Sequence, residues 1–177
     1  MLTDGTTVLL RAPRRDDLEQ MLRFANRLVR EKRKNASLGI LMDKRFSRKE
    51  EEKFLTGVLA GIRRNDVVNV TAEVNGKIVG NTDLRRQRHN DVLHLGRLGI
   101  IVLKEYRRKG LGTLLMETAL ERAESLGIKL VTLEVYASNE AALGLYTSMG
   151  FREFGRLPGG IRQGTSKIDL VYMFRQA

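Results

Sequence analysis

The sequence predicts an α/β (α+β) fold in which strands and helices share one core, and three observations carry that prediction. Residues 98–103, Leu-Gly-Ile-Ile-Val-Leu, have the composition of a buried strand. They lead through a basic glycine turn into residues 111–126, where leucines, alanines and a methionine are spaced for a helix buried on a broad face and closed by Gly127. Residues 130–136 alternate, with Val131, Leu133 and Val135 on one face and Thr132, Glu134 and Tyr136 on the other, before a second helical stretch that ends ahead of Gly150. Upstream, Asn75-Gly76 between two strand-like runs marks a β-hairpin.

In chain order, Val8, Leu9, Leu10 and Arg11 form a short first strand, and Pro13 separates it from the first helix. From residue 16 to about 33, Leu18, Met21, Leu22, Ala25, Leu28 and Val29 repeat at helical spacing and leave Arg23, Arg27 and Arg30 outward. The basic run 30–34 is a solvated helix end that suits the negative pole of the helix dipole. Residues 35–46 carry no period and read as a loop. Ser47 and Glu50 then fit a capping box, and Phe54, Leu55, Val58, Leu59 and Ile62 give the next helix its apolar face. Residues 66–74 and 77 to about 88 are hairpin partners, and a third strand runs from near Val92 through Leu103 after a turn at His89, Asn90 and Asp91. Arg85, Arg86 and Arg88 gather near one hairpin end, where they meet solvent or an acidic acceptor. The helix after the alternating strand takes Ser138 as its N-cap. Beyond Phe151 a strand reaches about Leu157, a flexible basic loop covers 158–167, and a last strand, 168–174, closes the sheet.

The turn Arg107-Arg108-Lys109-Gly110-Leu111-Gly112 puts unpaired backbone N–H groups and the positive end of a helix at one point, which suits a phosphate or pyrophosphate. Its spacing, R-x-x-G-x-G, is neither the Walker A loop nor the dinucleotide fingerprint, whose third glycine would fall at Leu115. Taken alone, it is equally a tight strand-to-helix turn with cations beside it. In the helix that starts after residue 138, Asn139, Ala142 and Tyr146 stand at i, i+3 and i+7 and so share one stripe.

Together, Val102, Arg107-x-x-Gly110-x-Gly112, Leu133-Glu134-Val135, Asn139-x-x-Ala142-x-x-Leu145-Tyr146 and Gly150-Phe151 resemble the GCN5-related N-acetyltransferases (GNAT superfamily) in residue type and spacing. Within that superfamily, residues 133–151 are most similar to the ribosomal-protein alanine N-acetyltransferases and to small-amine acetyltransferases. The resemblance implies one N-acetyltransferase domain over 1–177: a central, mixed, mostly antiparallel, seven-stranded twisted sheet, flanked by about four helices and splayed between its fourth and fifth strands.

It also implies acetyl-CoA as cosubstrate. The pyrophosphate would rest on Arg107, Arg108, Lys109, Gly110, Leu111, Gly112 and Thr113, and the pantetheine arm would pair with the backbone of Ile100, Ile101 and Val102. Asn139 would hold the pantetheine or nearby backbone, and Tyr146 would stand beside the thioester sulfur as general acid. Backbone N–H of the central strand would stabilise charge developing on the thioester oxygen. Glu134 matches the position that serves as base, through water, in the ribosomal-protein enzymes; the alternative is that it hydrogen-bonds backbone in the splayed sheet. Residues 35–46, Arg162 and Lys167 fall where the family contacts its acceptor, although 158–167 is equally a plain hairpin tip.

The acceptor must attack as a neutral amine. Deprotonation at pH 7 costs about 1 to 1.4 kcal/mol for an α-amine and roughly 4.6 kcal/mol for a lysine, so an α-amine needs only modest help. A protein or peptide N-terminus is the first expectation, and a free amino acid or other small amine the second.

Composition narrows the field. With 177 residues and 42% hydrophobic content the chain can bury one substantial core without staples. Absence of cysteine excludes disulfides, thiolate metal sites and a cysteine acyl-enzyme. His89 sits at a turn and His94 in the meander, the latter a structural residue rather than an alternative base; two histidines so placed make no metal site, which needs several converging ligands. No apolar run approaches the ~18 residues that span a bilayer and the first residues lack a signal-peptide core, so a cytoplasmic protein with no membrane partner is expected. The 32 Lys+Arg against 21 Asp+Glu leave +11, which attracts polyanions or is simply a heavily charged surface. An RNA- or ribosome-associated module holding acyl-CoA as a non-catalytic ligand is therefore the rival from another class. Against it, the four tyrosines and six phenylalanines fall mostly at core positions and make no RNA-binding aromatic pattern. A homodimer is compatible with all of this.

Overall fold

Helix α1 (Leu18–Lys34) forms where apolar residues recur at helical spacing, and it buries Leu18, Met21, Phe24, Ala25, Leu28 and Val29. Its last turn carries Lys32, Arg33 and Lys34, as the dipole favours. Helix α2 (Arg48–Arg63) opens with the expected capping box: Ser47 accepts from the Glu50 amide, and the Glu50 carboxylate accepts from the Ser47 amide at 2.8 Å. In the second half of the chain, α3 (Leu111–Ser125) and α4 (Glu140–Ser148) come after strands. The strands are β1 (Leu9–Arg11), β2 (Val67–Val74), β3 (Lys77–Arg86), β4 (Leu95–Val102), β5 (Leu130–Tyr136), β6 (Arg152–Gln163) and β7 (Ser166–Gln176). This computed structural model describes residues 1–176 except 36, 37, 40, 41 and 43. The strands form one seven-stranded sheet in the order β1-β2-β3-β4-β5-β7-β6. Every pairing is antiparallel except β4 with β5, so the sheet is mixed and mostly antiparallel as expected.

Three boundaries differ from the sequence reading. The strand expected from Val92 begins at Leu95, because residues 90–92 wind into a 3-10 turn capped by His89. Asn139, rather than Ser138, caps α4: its Oδ1 accepts from the Ala142 amide at 3.2 Å. The flexible loop expected at 158–167 is instead the continuation of β6 into a tight hairpin with β7, in which Arg162 stands opposite Lys167. Pro158, Gly159 and Gly160 are absorbed by a register shift between Leu157 and Ile161, where Gly159 takes φ +61° and its N–H reaches Asp169 Oδ1 at 2.9 Å. Gly160 lies under Leu157 and Leu170, where a Cβ would come within 3.1 Å of both.

Register assigns the side chains to two faces. Val68, Val70, Leu84, Leu98, Val131, Leu133 and Val135 are buried on one, and there a Cβ on Gly80 would meet Leu115 of α3 at 3.0 Å. The opposite face carries Val67, Asn69, Asn81, Asp83, Arg85, Arg97, Gly99, Thr132 and Glu134, and α2 crosses it, with Gly61 packed on Val67. Arg11 ties β1 to both α1 and β2 through Asp17 and Glu73, each at 2.7 Å.

Candidate functional site

Strands β4 and β5 are paired only at their beginnings, Leu95 with Leu130, Gly96 with Val131 and Arg97 with Thr132. Past Arg97 the two part. β4 goes on to Val102 held by β3, and β5 goes on to Tyr136 held by β7. A wedge between the fourth and fifth strands is thus built into the sheet, as the resemblance implied.

Backbone direction decides which residues face that wedge. Leu103 N–H bonds Val79 on β3, and Gln87 N–H bonds Leu95 C=O, so odd-numbered residues of β4 spend their backbone groups on the β3 side. Even-numbered ones turn toward β5, as His94 and Gly96 do when their carbonyls accept from Lys129, Leu130 and the Thr132 hydroxyl. The main chain facing the gap therefore belongs to Leu98, Ile100 and Val102. Of the three residues the resemblance put along the pantetheine, Ile100 and Val102 face the gap and Ile101 turns its main chain to β3; Leu98, not named from the sequence, also faces the gap, since backbone direction depends on pairing that sequence does not display. The Val102 carbonyl already accepts from Arg107 Nε at 2.7 Å.

At the C-terminal end of β4 the chain turns through the glycine loop. Arg108 at φ +58° and Gly110 at φ +81° are both in the left-handed region, which curls successive amides inward. Among the described residues, the amides of Arg108, Lys109, Gly110, Leu111, Gly112 and Thr113 donate to no group, the first helical bond being from Leu114 N–H to Gly110 C=O. Six undonated amides thus stand at the positive end of α3, the donor chemistry an anion calls for. Gly112 has a second task, since a Cβ there would stand 2.9 Å from Leu145 of α4.

The cations of the loop are less free than the sequence suggested. Arg107 is turned inward, its Nη2 2.6 Å from Glu31 of α1, and its amide donates to Lys104 C=O at 3.2 Å, so it braces the end of β4 with both side chain and main chain. Lys109 pairs with Asp4 at 2.9 Å and lies over the Tyr106 ring. Glu31, hidden inside the basic run 30–34, is the partner that sequence reasoning missed.

Helix α4 brings Tyr146 into the core beside Phe151, ring centroids 6.1 Å apart. Its hydroxyl bonds to no described residue, and burial pushes it up to about 12, so at neutral pH it holds its proton. Asn139 caps the helix and donates from Nδ2 to Leu38 C=O at 3.3 Å, tying the connection between α1 and α2 to this corner. Gly39 packs there on the Tyr136 ring. The remainder of the expected acceptor contact in 35–46 includes positions 36, 37, 40, 41 and 43, which lie outside the described residues.

Glu134, on the α2 face of β5, makes an ion pair with Arg97 of β4 at 2.7 Å. That partner replaces the backbone contact considered from sequence. His94 is exposed at the closed end of the β4–β5 seam, away from Glu134 along the strand. Arg85 and Arg86 are structural as well as solvated: Arg86 Nε donates to Leu93 C=O at 2.7 Å, and Arg85 pairs with Asp83 and rests on Phe54. Arg162 and Lys167 sit at the β6–β7 tip, which runs past the end of β5 at Tyr136. Among the described residues, no group of three or more His, Cys, Asp or Glu is placed to hold a metal, and no helix is long and apolar enough to cross a membrane.

Comparison with known proteins agrees with this geometry. The profile of the acetyltransferase (GNAT) family matches residues 30–151. Over 54 residues, 30% of this chain and 36% of the relative, the sequence is 46% identical to ribosomal protein bS18-alanine N-acetyltransferase of Escherichia coli K12. Over 101 residues, 56% of this chain and 54% of the relative, it is 32% identical to N-alpha-acetyltransferase 30 of Dictyostelium discoideum. The chain thus spans about a third to a half of the length of these curated relatives. An acetyltransferase of GNAT family from Streptococcus pneumoniae superposes with a TM-score of 0.81 at 28% identity, over 97% of this chain and 100% of that one. With the family profile matching well over half of its residues and the parted β4 and β5 in place, the chain belongs to the acetyltransferase (GNAT) family.

Proposed function

We propose that this protein is an acetyl-CoA-dependent N-acetyltransferase that acts by direct transfer in a ternary complex, with the α-amine of a protein or peptide N-terminus as acceptor. The observation that carries the reading is the pairing of a strand wedge with six undonated amides at one of its ends. Those amides suit a diphosphate, and the free backbone of Leu98 and Ile100 suits an extended amide-bearing arm. Acetyl-CoA, when bound, supplies an activated thioester. Everything else falls to the chain's own groups.

Glu134, through a water molecule, takes the proton that the acceptor ammonium must shed before its nitrogen attacks the acyl carbon. As the new C–N bond forms and the C–S bond breaks, Tyr146 donates its phenolic proton to the departing sulfur, and the proton that the nitrogen loses on becoming an amide passes through solvent to restore the phenol. Arg97 holds the Glu134 carboxylate in place at the mouth of the wedge. The likeness to relatives named for ribosomal-protein and N-alpha acetylation supports an N-terminal acceptor. A free amino acid is the second reading, favoured by the Arg97–Glu134 pair, whose adjacent charges complement a zwitterion.

Calorimetry with CoA and acetyl-CoA, followed by thiol release in the presence of short peptides and free amino acids, tests both. Binding and peptide-dependent thiol release support the reading. Lack of association with either compound removes it.

A further inference from the structure

On the α2 face of the sheet, β4 has a gap in its row of side chains. Gly99 is exposed, and a Cβ built on it would meet nothing within 4 Å, unlike Gly96 three residues earlier, where it would stand 2.7 Å from Leu84. Directly across from Gly99 on β3 is Asp83, and the wedge with Glu134 lies on the other side. Asp83 is unusual among the acids of this face. Its Oδ2 is fully buried and receives no aligned hydrogen bond, although Arg85 Nη2 comes within 2.7 Å. Its Oδ1 accepts from Arg85 Nε at 3.1 Å. Arg85 itself is half exposed and lies over the Phe54 ring of α2, so it closes the carboxylate from the solvent side.

We infer that Asp83 and Gly99 form the seat of the acceptor amine: the bare main chain at Gly99 is the floor that lets the substrate reach β4, and Asp83 holds the incoming ammonium. Arg85 is the cation that occupies Asp83 in the absence of acceptor. Exchange of one cation for another keeps the buried carboxylate compensated while the acceptor enters, and Arg85 returns to it once the amine has lost its proton. Asp83 is thus a positioning residue on the opposite side of Gly99 from Glu134, and it selects acceptors that arrive charged and next to a slim backbone.

This inference rests on the proposed acetyl transfer, and its test separates the two. Steady-state kinetics are run on the wild type, Asp83→Asn and Gly99→Val with acetyl-CoA and an alanine-starting peptide or free L-amino acids, alongside calorimetry with CoA and thermal melts. If the wild type binds no CoA, the proposed function itself fails. Given wild-type turnover, the seat predicts that Asp83→Asn raises acceptor KM tenfold or more, leaves acetyl-CoA KM unchanged and changes kcat less than KM. Gly99→Val should lower acceptor kcat/KM a hundredfold while CoA affinity and melting temperature hold. An unchanged acceptor KM in Asp83→Asn, or normal turnover by Gly99→Val, overturns it. If Asp83→Asn fails to fold, the Gly99→Val result decides alone.

Discussion

The two faces of the sheet are made from alternate residues of the same strands, yet they solve different problems. Beneath α3 the face is dry, and each gap in it is filled: the absent Cβ of Gly96 is replaced by Leu84 and Ile128, that of Gly80 by Leu115. Beneath α2 the face is polar across β2 to β5, with Asn69 and Asn81 bonded to one another, Asp83 paired with Arg85, and Glu134 paired with Arg97 across the parting strands. There Gly99 is left open. The difference is one of packing: a close-packed face fixes the frame, while the other is held by hydrogen bonds and ion pairs between polar side chains and leaves one glycine uncovered.

Four changes would break or sharpen that contrast. The largest effect is expected from Tyr146→Phe, which keeps the ring against Phe151 and removes only the proton donor; kcat should fall on the order of a hundredfold with acetyl-CoA affinity unchanged by calorimetry. An unaltered kcat would take Tyr146 out of the acid role. Next, Gly96→Val should destabilise the protein by about 1–3 kcal/mol in urea unfolding through overpacking against Leu84 and Ile128. The same substitution at Gly99 should leave the urea midpoint nearly in place, and equal losses at both sites would erase the distinction between the faces. Gly110→Ala forces a side chain into φ +81° and should weaken CoA binding about tenfold in a titration, corresponding to roughly 1–2 kcal/mol of backbone strain. Smallest among the substitutions is Arg97→Gln, which leaves Glu134 without its 2.7 Å partner and should lower kcat a few-fold, about 1 kcal/mol, with no change in CoA affinity.

A pH profile adds a sign. Burial raises Tyr146 from the ordinary phenol value to about 12, so its proton stays in place as pH rises through the usual range and is lost only as pH approaches the raised value. No descending limb in kcat from this group should therefore appear below about pH 10. A limb near pH 9 that persists in wild type and vanishes in Tyr146→Phe would contradict the burial argument.

Much of this was legible in the residues. Seven strands and four helices were readable because hydrophobic period and caps are local properties: the Ser47–Glu50 box and the Asn75-Gly76 turn need no distant partner. The glycine loop was readable for the same reason. The 158–167 hairpin was misread because two glycines and a proline favour a loop locally, whereas pairing with β7 and the Asp169 bond hold them as a bulged strand. Asn139 as a cap was hidden by an equally good capping residue just before it.

By itself the sequence determined the period of each element, the position of the amide-rich turn and the presence of a phenol on one stripe of a helix with Asn139 and Ala142, since these depend on residues close in the chain. Tertiary structure alone decided that Arg107 braces Glu31 instead of reaching outward, that Glu134 is held by Arg97, and that Gly99 opens beside Asp83 while Gly96 is filled. Those outcomes depend on register and on which strands are neighbours. They join residues up to 76 positions apart, and no local pattern encodes such a pairing.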